Sequence, residues 1–203
     1  MEALDGMTIF CFSHLRWNFV YQRPQHLMTR LSKKNRVFFV EEPHFDNGSF
    51  YDVIKQDEKL WIVVPHLTHG MSTEEIIEHE REFLSRLLIK MHIEDYLVWY
   101  YTPMALQISD HFKPLLTIYD CMDELSAFKF APPSLVELES KLFNKADIVF
   151  TGGHRLYETK KSLHNNIYAF PSSIDFNHFV QARTISTEHE GHRVTMVRRD
   201  SVR

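Results

Sequence analysis

"LLTIYDCMDE" (residues 115–124) runs through an apolar stretch, interrupted only by Thr117, and ends on Asp120, Asp123 and Glu124. A strand that is apolar at consecutive positions is covered on both faces, as strands are in a parallel sheet lying under helices. Carboxylates at such an exit cap a helix, solvate a loop, or belong to a site at the mouth of the sheet. The stretch by itself leaves all three open.

Six further runs share its character: "MTIFCF" (7–12), "RVFFVEE" (36–42), "LWIVVP" (60–65), "LVWYY" (97–101), "DIVFTG" (147–152) and "IYAFP" (167–171). Helical patterns separate them. Residues 73–92 set Ile76, Ile77, Phe83, Leu84, Leu87, Leu88 and Met91 along one stripe, and Ser72 with Glu75 forms a capping box at its start. Ser134 with Glu137, after Pro132 and Pro133, marks a second helix running to about Lys145. Residues 22–34 and 154–164 complete the set, with a weaker pattern at 103–112. This alternation predicts an α/β domain, Rossmann-like and doubly wound, with a mainly parallel sheet.

The chain has 203 residues, 44% of them hydrophobic and 25% charged, which suits a soluble globular domain with a substantial core. A formal charge of −4 argues against a protein devoted to nucleic acid. Its two cysteines, Cys11 and Cys121, lie in or beside apolar runs and read as buried thiols in a reducing compartment. No secretory signal or membrane-length apolar run is visible, so a cytoplasmic location is expected. The basic set Arg30, Lys33, Lys34 and Arg36 has two readings, a solvated helix end and a peripheral contact with anionic lipid at the inner face of the plasma membrane.

Ligands of open α/β sheets bind beyond the carboxyl ends of the strands, and four exits here are rich in polar groups. After the first strand, Ser13, His14, Arg16, Trp17, Gln22, Arg23 and His26 fall within one loop and helix start. Arginine forks and a helix N-terminus suit phosphate or carboxylate, and Trp17 and Tyr21 suit a sugar face. Glu41 and Glu42 follow the second strand, as ligands for hydroxyls or as solubilising charge. His66 and His69 have the spacing of a metal pair but lack a third ligand nearby, so no metal site is expected. At the opening stretch, Asp123 caps a helix or does chemistry, while Asp120 at the strand end has fewer structural roles to fill. "TGGH" (151–154) is a tight turn explained by close strand–helix packing as well as by an anion. The G-x-G-x-x-G, P-loop and G-x-S-x-G patterns are absent from the sequence.

In order, "FSHLRWNFVYQRPQHLMTRLSKKNRVFFVEEP", "IYDCMDELSAF", "KADIVFTGGHRLYETKK" and "NIYAFPSSIDFNHF" resemble the N-terminal half of bacterial GT-B glycosyltransferases of the family 4-like kind (glycosyl transferases group 1). The resemblance covers about residues 7–183. It implies an acceptor-side Rossmann-like domain, facing across a cleft a second domain that holds a nucleotide-sugar donor. The donor is then a co-substrate, with no cofactor and usually no metal. The acceptor is an envelope or exopolysaccharide glycan, free or lipid-linked.

For an inverting transfer the resemblance makes Asp123 the base, supported by Asp120. For a retaining transfer the pair orients acceptor hydroxyls, with Glu124 beside it. Residues Ser13 to Arg23 lie near the donor phosphates, and Asp175 caps or fixes the interdomain crossover. Residues 184–203 carry His189, His192, Arg193, Arg198, Arg199 and Arg203 without a sustained period. They read as an irregular tail, the start of a missing donor domain, or a frame-shifted end. An isolated acceptor half is expected to be inactive, since transfer needs both substrates held together. Alternative readings are a non-catalytic carbohydrate-binding or regulatory subunit that pairs with a separate transferase, and an inactive remnant.

Overall fold

A computed structural model describes residues 5–172 and Val180. The motif from Ser173 to Phe179, with Asp175, and the stretch 184–203 lie outside the described residues. Among the described residues one nine-stranded sheet forms: β1 (Thr8–Phe12), β2 (Arg36–Val40), β3 (His44–Asp46), β4 (Phe50–Asp57), β5 (Leu60–Thr68), β6 (Tyr96–Tyr100), β7 (Leu116–Cys121), β8 (Ile148–Thr151) and β9 (Ile167–Ala169). The helices are α1 (Arg23–Leu31), α2 (Thr73–Lys90), α3 (Leu106–Ser109), α4 (Leu135–Lys145) and α5 (His154–Lys160).

The strand order is β3-β5-β2-β1-β6-β7-β8-β9, with β4 antiparallel along β5 and all other pairs parallel. From β1 the chain steps outward through β2 to β5, returns to β6, and steps outward the other way. The point between β1 and β6 is therefore the topological switch, where the exits of neighbouring strands diverge and leave a crevice.

Both faces of the sheet are covered, as the consecutive apolar runs require. Along β1, Phe10 and Phe12 enter one core with Leu84 and Leu87 of α2, Ile108 of α3 and Leu142 of α4. Ile9 and Cys11 enter the other with Met28 of α1. Aromatic rings build the first core: Phe10 stacks on Phe38 at 5.2 Å and Phe12 on Tyr100 at 5.4 Å. Each such side chain contributes about 1.5–3 kcal/mol by burial. Cys11 and Cys121 are buried free thiols.

The capping box of α2 forms: the Ser72 hydroxyl accepts the Glu75 N–H at 3.2 Å, and the Glu75 carboxylate accepts the Ser72 N–H at 2.8 Å. The one expected at Ser134 does not. Ser134 is already helical (φ −67°, ψ −16°), and the Leu135 N–H donates to the Pro132 carbonyl at 3.0 Å. The two prolines fix helical φ early, so the turn begins before the serine. Glu137 instead pairs with Lys141 at 2.7 Å. Residues 103–112 give a 3₁₀ turn, Pro103–Ala105, and the single turn of α3. Strands β3 and β4 carry no apolar run and have no counterpart in the sequence pattern.

Among the described residues no helix is long and apolar enough to cross a membrane. The basic set runs from Arg30 in the last turn of α1 to Arg36 at the amino end of β2. There Lys34 pairs with Asp5 at 2.7 Å, and Arg36 donates to the Thr8 hydroxyl at 3.1 Å.

The glycine turn after β8 is a packing device. A Cβ on Gly152 would strike the Met122 carbonyl oxygen and lie 2.8 Å from its Cα. Gly153 faces open space, with φ −175°, which any residue adopts. Gly152→Ala is therefore expected to destabilise the domain by about 2 kcal/mol or more, and Gly153→Ala to change it by under ~1 kcal/mol. Urea unfolding of the two variants checks the contrast.

Candidate active site

A groove lies at the switch point. Ser13 leaves β1, Glu41 and Glu42 leave β2, and Thr102 leaves β6; α2 and the segment Phe128–Pro132 frame the sides. It has two compartments of about 390 and 380 Å³, which share Glu42, Thr102, Met104 and Pro132. The first reaches α2 at Ile76, Ile77 and Glu80; the second holds His14 and is walled by Leu125, Phe128 and Phe130.

The β1–α1 loop is pinned rather than free. Arg16 donates to the Glu41 carboxylate at 3.1 Å, to the Pro43 carbonyl at 3.2 Å and to the Glu42 carbonyl. The Trp17 N–H donates to the same carboxylate at 2.7 Å. The Trp17 indole is buried, edge-on to Phe39 at 5.0 Å, so it is core and offers no face to a sugar. Buried Gln25 closes the loop, its amide donating to the carbonyls of Arg16, Trp17 and Val20 at 3.1–3.3 Å. Gln22 is the N-cap of α1, its N–H bonded to the Gln25 side chain at 3.0 Å. Arg16, Trp17, Gln22 and Gln25 thus hold the loop in place, and no sequence pattern singled out Gln25.

Arg23 and Asp120 hold one another. The guanidinium meets the carboxylate in a two-point contact, Nε–Oδ2 at 2.9 Å and Nη2–Oδ1 at 2.8 Å, with Asp120 fully buried. Arg23 also donates to the Phe170 carbonyl and lies over the Phe170 ring at 4.8 Å. Burial pushes the Asp120 carboxyl up, against Arg23, Tyr101 and Trp99, which favour its charged form. Neither is among the residues that line the two compartments, and each supplies the partner that the other's buried charge needs.

His14 lines the second compartment, within the electrostatic reach of the Asp123 carboxylate. Burial holds the His14 imidazole below the ordinary histidine value, with the Asp123 carboxylate and the Tyr101 backbone pulling the other way. The imidazole is therefore largely neutral at pH 7, and its Nδ1 is buried without a hydrogen-bond partner. Asp123 caps no helix: residues Leu125–Ala127 make a 3₁₀ turn that opens at Glu124 without a side-chain cap.

Glu124 accepts from Ser126 at 2.8 Å and Lys160 at 3.1 Å. Buried Lys160 also meets Glu139 at 2.9 Å, and Tyr119 donates to Glu139 at 2.8 Å. Burial pushes the Lys160 ammonium down, but the carboxylates more than offset it and its pKa ends above the ordinary lysine value. His26 lies edge-on to Tyr21 at 4.5 Å, outside the walls of the groove. His66 lies on β5 between β3 and β4, 3.5 Å from Asp46 and 3.4 Å from Asp52, and stacks on Phe50.

Two groups near the groove escaped sequence reading. Lys160 falls on the buried face of α5, four residues after Leu156. Glu80 falls between Ile77 and Leu84 on the apolar stripe of α2, and that position was its signal. Burial, and then the charge of Glu42, raise the Glu80 carboxyl to about 8; burial likewise raises Glu42 itself, against Arg16.

No protein-family model matches the chain, and no curated protein matches its sequence. Solved structures do match in fold. One is trehalose-6-phosphate synthase from E. coli, bound with UDP-2-fluoro glucose: TM-score 0.57, 8% identity, covering 86% of this chain and 50% of that one. Another is sucrose-phosphate synthase from Thermosynechococcus elongatus: TM-score 0.56, 12% identity, covering 81% and 48%. Both are GT-B glycosyltransferases, and the chain spans about half the length of each. The fold is thus the α/β Rossmann-like fold of that architecture, as expected from the strand pattern and the resemblance.

Proposed function

We propose that the chain is the acceptor-side half of a nucleotide-sugar-dependent glycosyltransferase. In complete form it would transfer a sugar to an envelope or exopolysaccharide acceptor. The observation that carries this reading is the His14 imidazole, which lines a groove on the topological switch point, is held below the ordinary histidine value by burial and feels the Asp123 carboxylate. In an inverting transfer, the acceptor oxygen attacks the anomeric carbon, the nucleoside diphosphate leaves, and the hydroxyl proton passes to His14. Asp123 then stabilises the imidazolium. In a retaining transfer the same pair orients the hydroxyl. Ser13, at the start of the loop, and Thr102 offer further hydrogen bonds to the acceptor.

The pair has a measurable consequence. With the longest natural product of the coding region, assayed over a panel of UDP- and GDP-sugars, His14→Ala is expected to lower turnover by roughly 10²–10⁴-fold. Asp123→Asn, which removes the charge that raises the His14 pKa, should move the acid limb of the pH–rate profile to lower pH. Absence of both transfer and donor hydrolysis over the panel would remove the enzymatic reading. A carbohydrate-binding subunit that serves a separate transferase is the second reading. It requires sugar binding without turnover.

A further inference from the structure

The compartment against α2 has apolar walls, including Phe12, Phe45, Ile76 and Ile108, yet three glutamates line it; Glu41 is held by Arg16 and the Trp17 N–H, which leaves two carboxyl groups on facing elements. Glu42 comes from the β2 exit and Glu80 from the middle of α2. Glu80 is only 5% exposed, and among the described residues it has no hydrogen-bond or ion-pair partner. A buried carboxyl without a partner opposes folding, so its place on an otherwise apolar stripe calls for a ligand that uses it.

The charge around it defines that ligand. Glu42 acts on Glu80 from the β2 exit, and Glu80 in turn helps to raise the Tyr51 hydroxyl of β4, which is buried and also without a hydrogen-bond partner. Nearby cations are engaged elsewhere. Arg16 holds Glu41 and the carbonyls of residues 42 and 43, Arg81 reaches Asp110 and the Gln107 carbonyl, and Arg86 pairs with Glu82. From the α3 side the compartment meets only uncharged groups, Met104, Gln107 and Ile108 among them. A divalent cation fits poorly, since among the described residues no three His, Cys, Asp or Glu gather to ligate one.

We propose that this compartment binds the primary ammonium group of an amine-bearing acceptor, held between the carboxylates of Glu42 and Glu80. Inside apolar walls each charge pair is stronger than in water, and two carboxylates replace the hydration that the ammonium leaves behind. The proposal rests on the acceptor reading and names the acceptor's class. It is tested by binding alone, so it and sugar transfer fail separately.

Binding is linked to a proton. Free Glu80 keeps its proton up to a pH of about 8, so an ammonium entering below that pH must displace it. The test is calorimetric titration with n-hexylamine against n-hexanol, and glucosamine against glucose. At pH 8, at least one amine is expected to bind tenfold or more tighter than its hydroxyl partner. Hexylamine affinity should rise more than tenfold from pH 6 to pH 8, with a released proton visible as buffer-dependent heat. Preference for hexylamine identifies a lipid-like body and for glucosamine a sugar-like one, and either supports the proposal. Glu80→Gln should equalise amine and alcohol, and Glu42→Gln should narrow the gap. Equal binding of amine and alcohol by the wild type, no binding of either amine, or an amine preference that survives Glu80→Gln overturns it.

Discussion

Arg23→Met is expected to destabilise the domain by about 3–5 kcal/mol. The residue ties α1 to the exit of β7 through Asp120 and to the segment after β9 through the Phe170 carbonyl and ring. Without it, Asp120 stays fully buried with only the polar groups of Tyr101 and Trp99 to favour its charge. Its carboxyl would then rise further and take up a proton. Asp120→Leu should cost a similar amount by leaving the guanidinium unpaired. The informative variant is the double replacement, Arg23→Met with Asp120→Leu. Burial already outweighs the ion pair at Asp120, as its raised pKa shows, so removing both charges should recover much of the loss. Guanidinium and urea unfolding of the four proteins closes the cycle. Additive single losses would mean that the pair is not a coupled unit. Salt should matter little, because both side chains are shielded from it.

That pair also marks where the sequence stops being legible. "LLTIYD" announces a buried strand because its apolar positions are consecutive, and the same holds for β1, β2, β5 and β6. The edge strands are silent for the converse reason. Strand β4, "FYDVIKQD", is exposed along nearly its whole length and carries charges suited to an uncovered edge, so it shows no apolar run. At the site, the types of residue are legible and their assignments are not. Asp120 stands out at its strand end, but its partner lies 97 residues away in sequence, and no local pattern reveals such a pairing. Arg16, Trp17 and Gln22 look like ligand groups because loops that bind and loops that are pinned draw on the same polar side chains. His14 and Asp123 stand in different motifs, and only the parallel register that sets β1 beside β6 and β6 beside β7 brings their exits together. Glu80 is hidden by its company, since an apolar stripe draws attention away from the one carboxylate on it.

Glu80→Gln is expected to stabilise the ligand-free domain by about 3 kcal/mol at pH 7 and to flatten its dependence on pH. The sign follows from which state holds the proton. Burial and Glu42 raise the folded carboxyl to about 8, whereas in the unfolded chain it ionises in the ordinary glutamate range. Below that range both states are protonated and the group is neutral in the balance. Above it the unfolded chain releases its proton while the folded one retains it. Stability therefore falls as pH rises, until the folded group also ionises near pH 8. Glutamine keeps the shape and titrates in neither state, so the slope should vanish with it. The opposite trend comes from His14, whose lowered pKa makes stability fall on acidification below the ordinary histidine value. The two trends overlap and oppose one another between the ordinary glutamate and histidine ranges, and above the histidine range only the Glu80 decline remains, ending near pH 8. Thermal unfolding from pH 5 to pH 9 separates them: Glu80→Gln should remove the decline between neutrality and pH 8 and leave the loss on acidification. An unchanged decline up to pH 8 in that variant would show that Glu80 is solvated and ordinary. It would also remove the buried, unpartnered carboxyl on which the ammonium site depends.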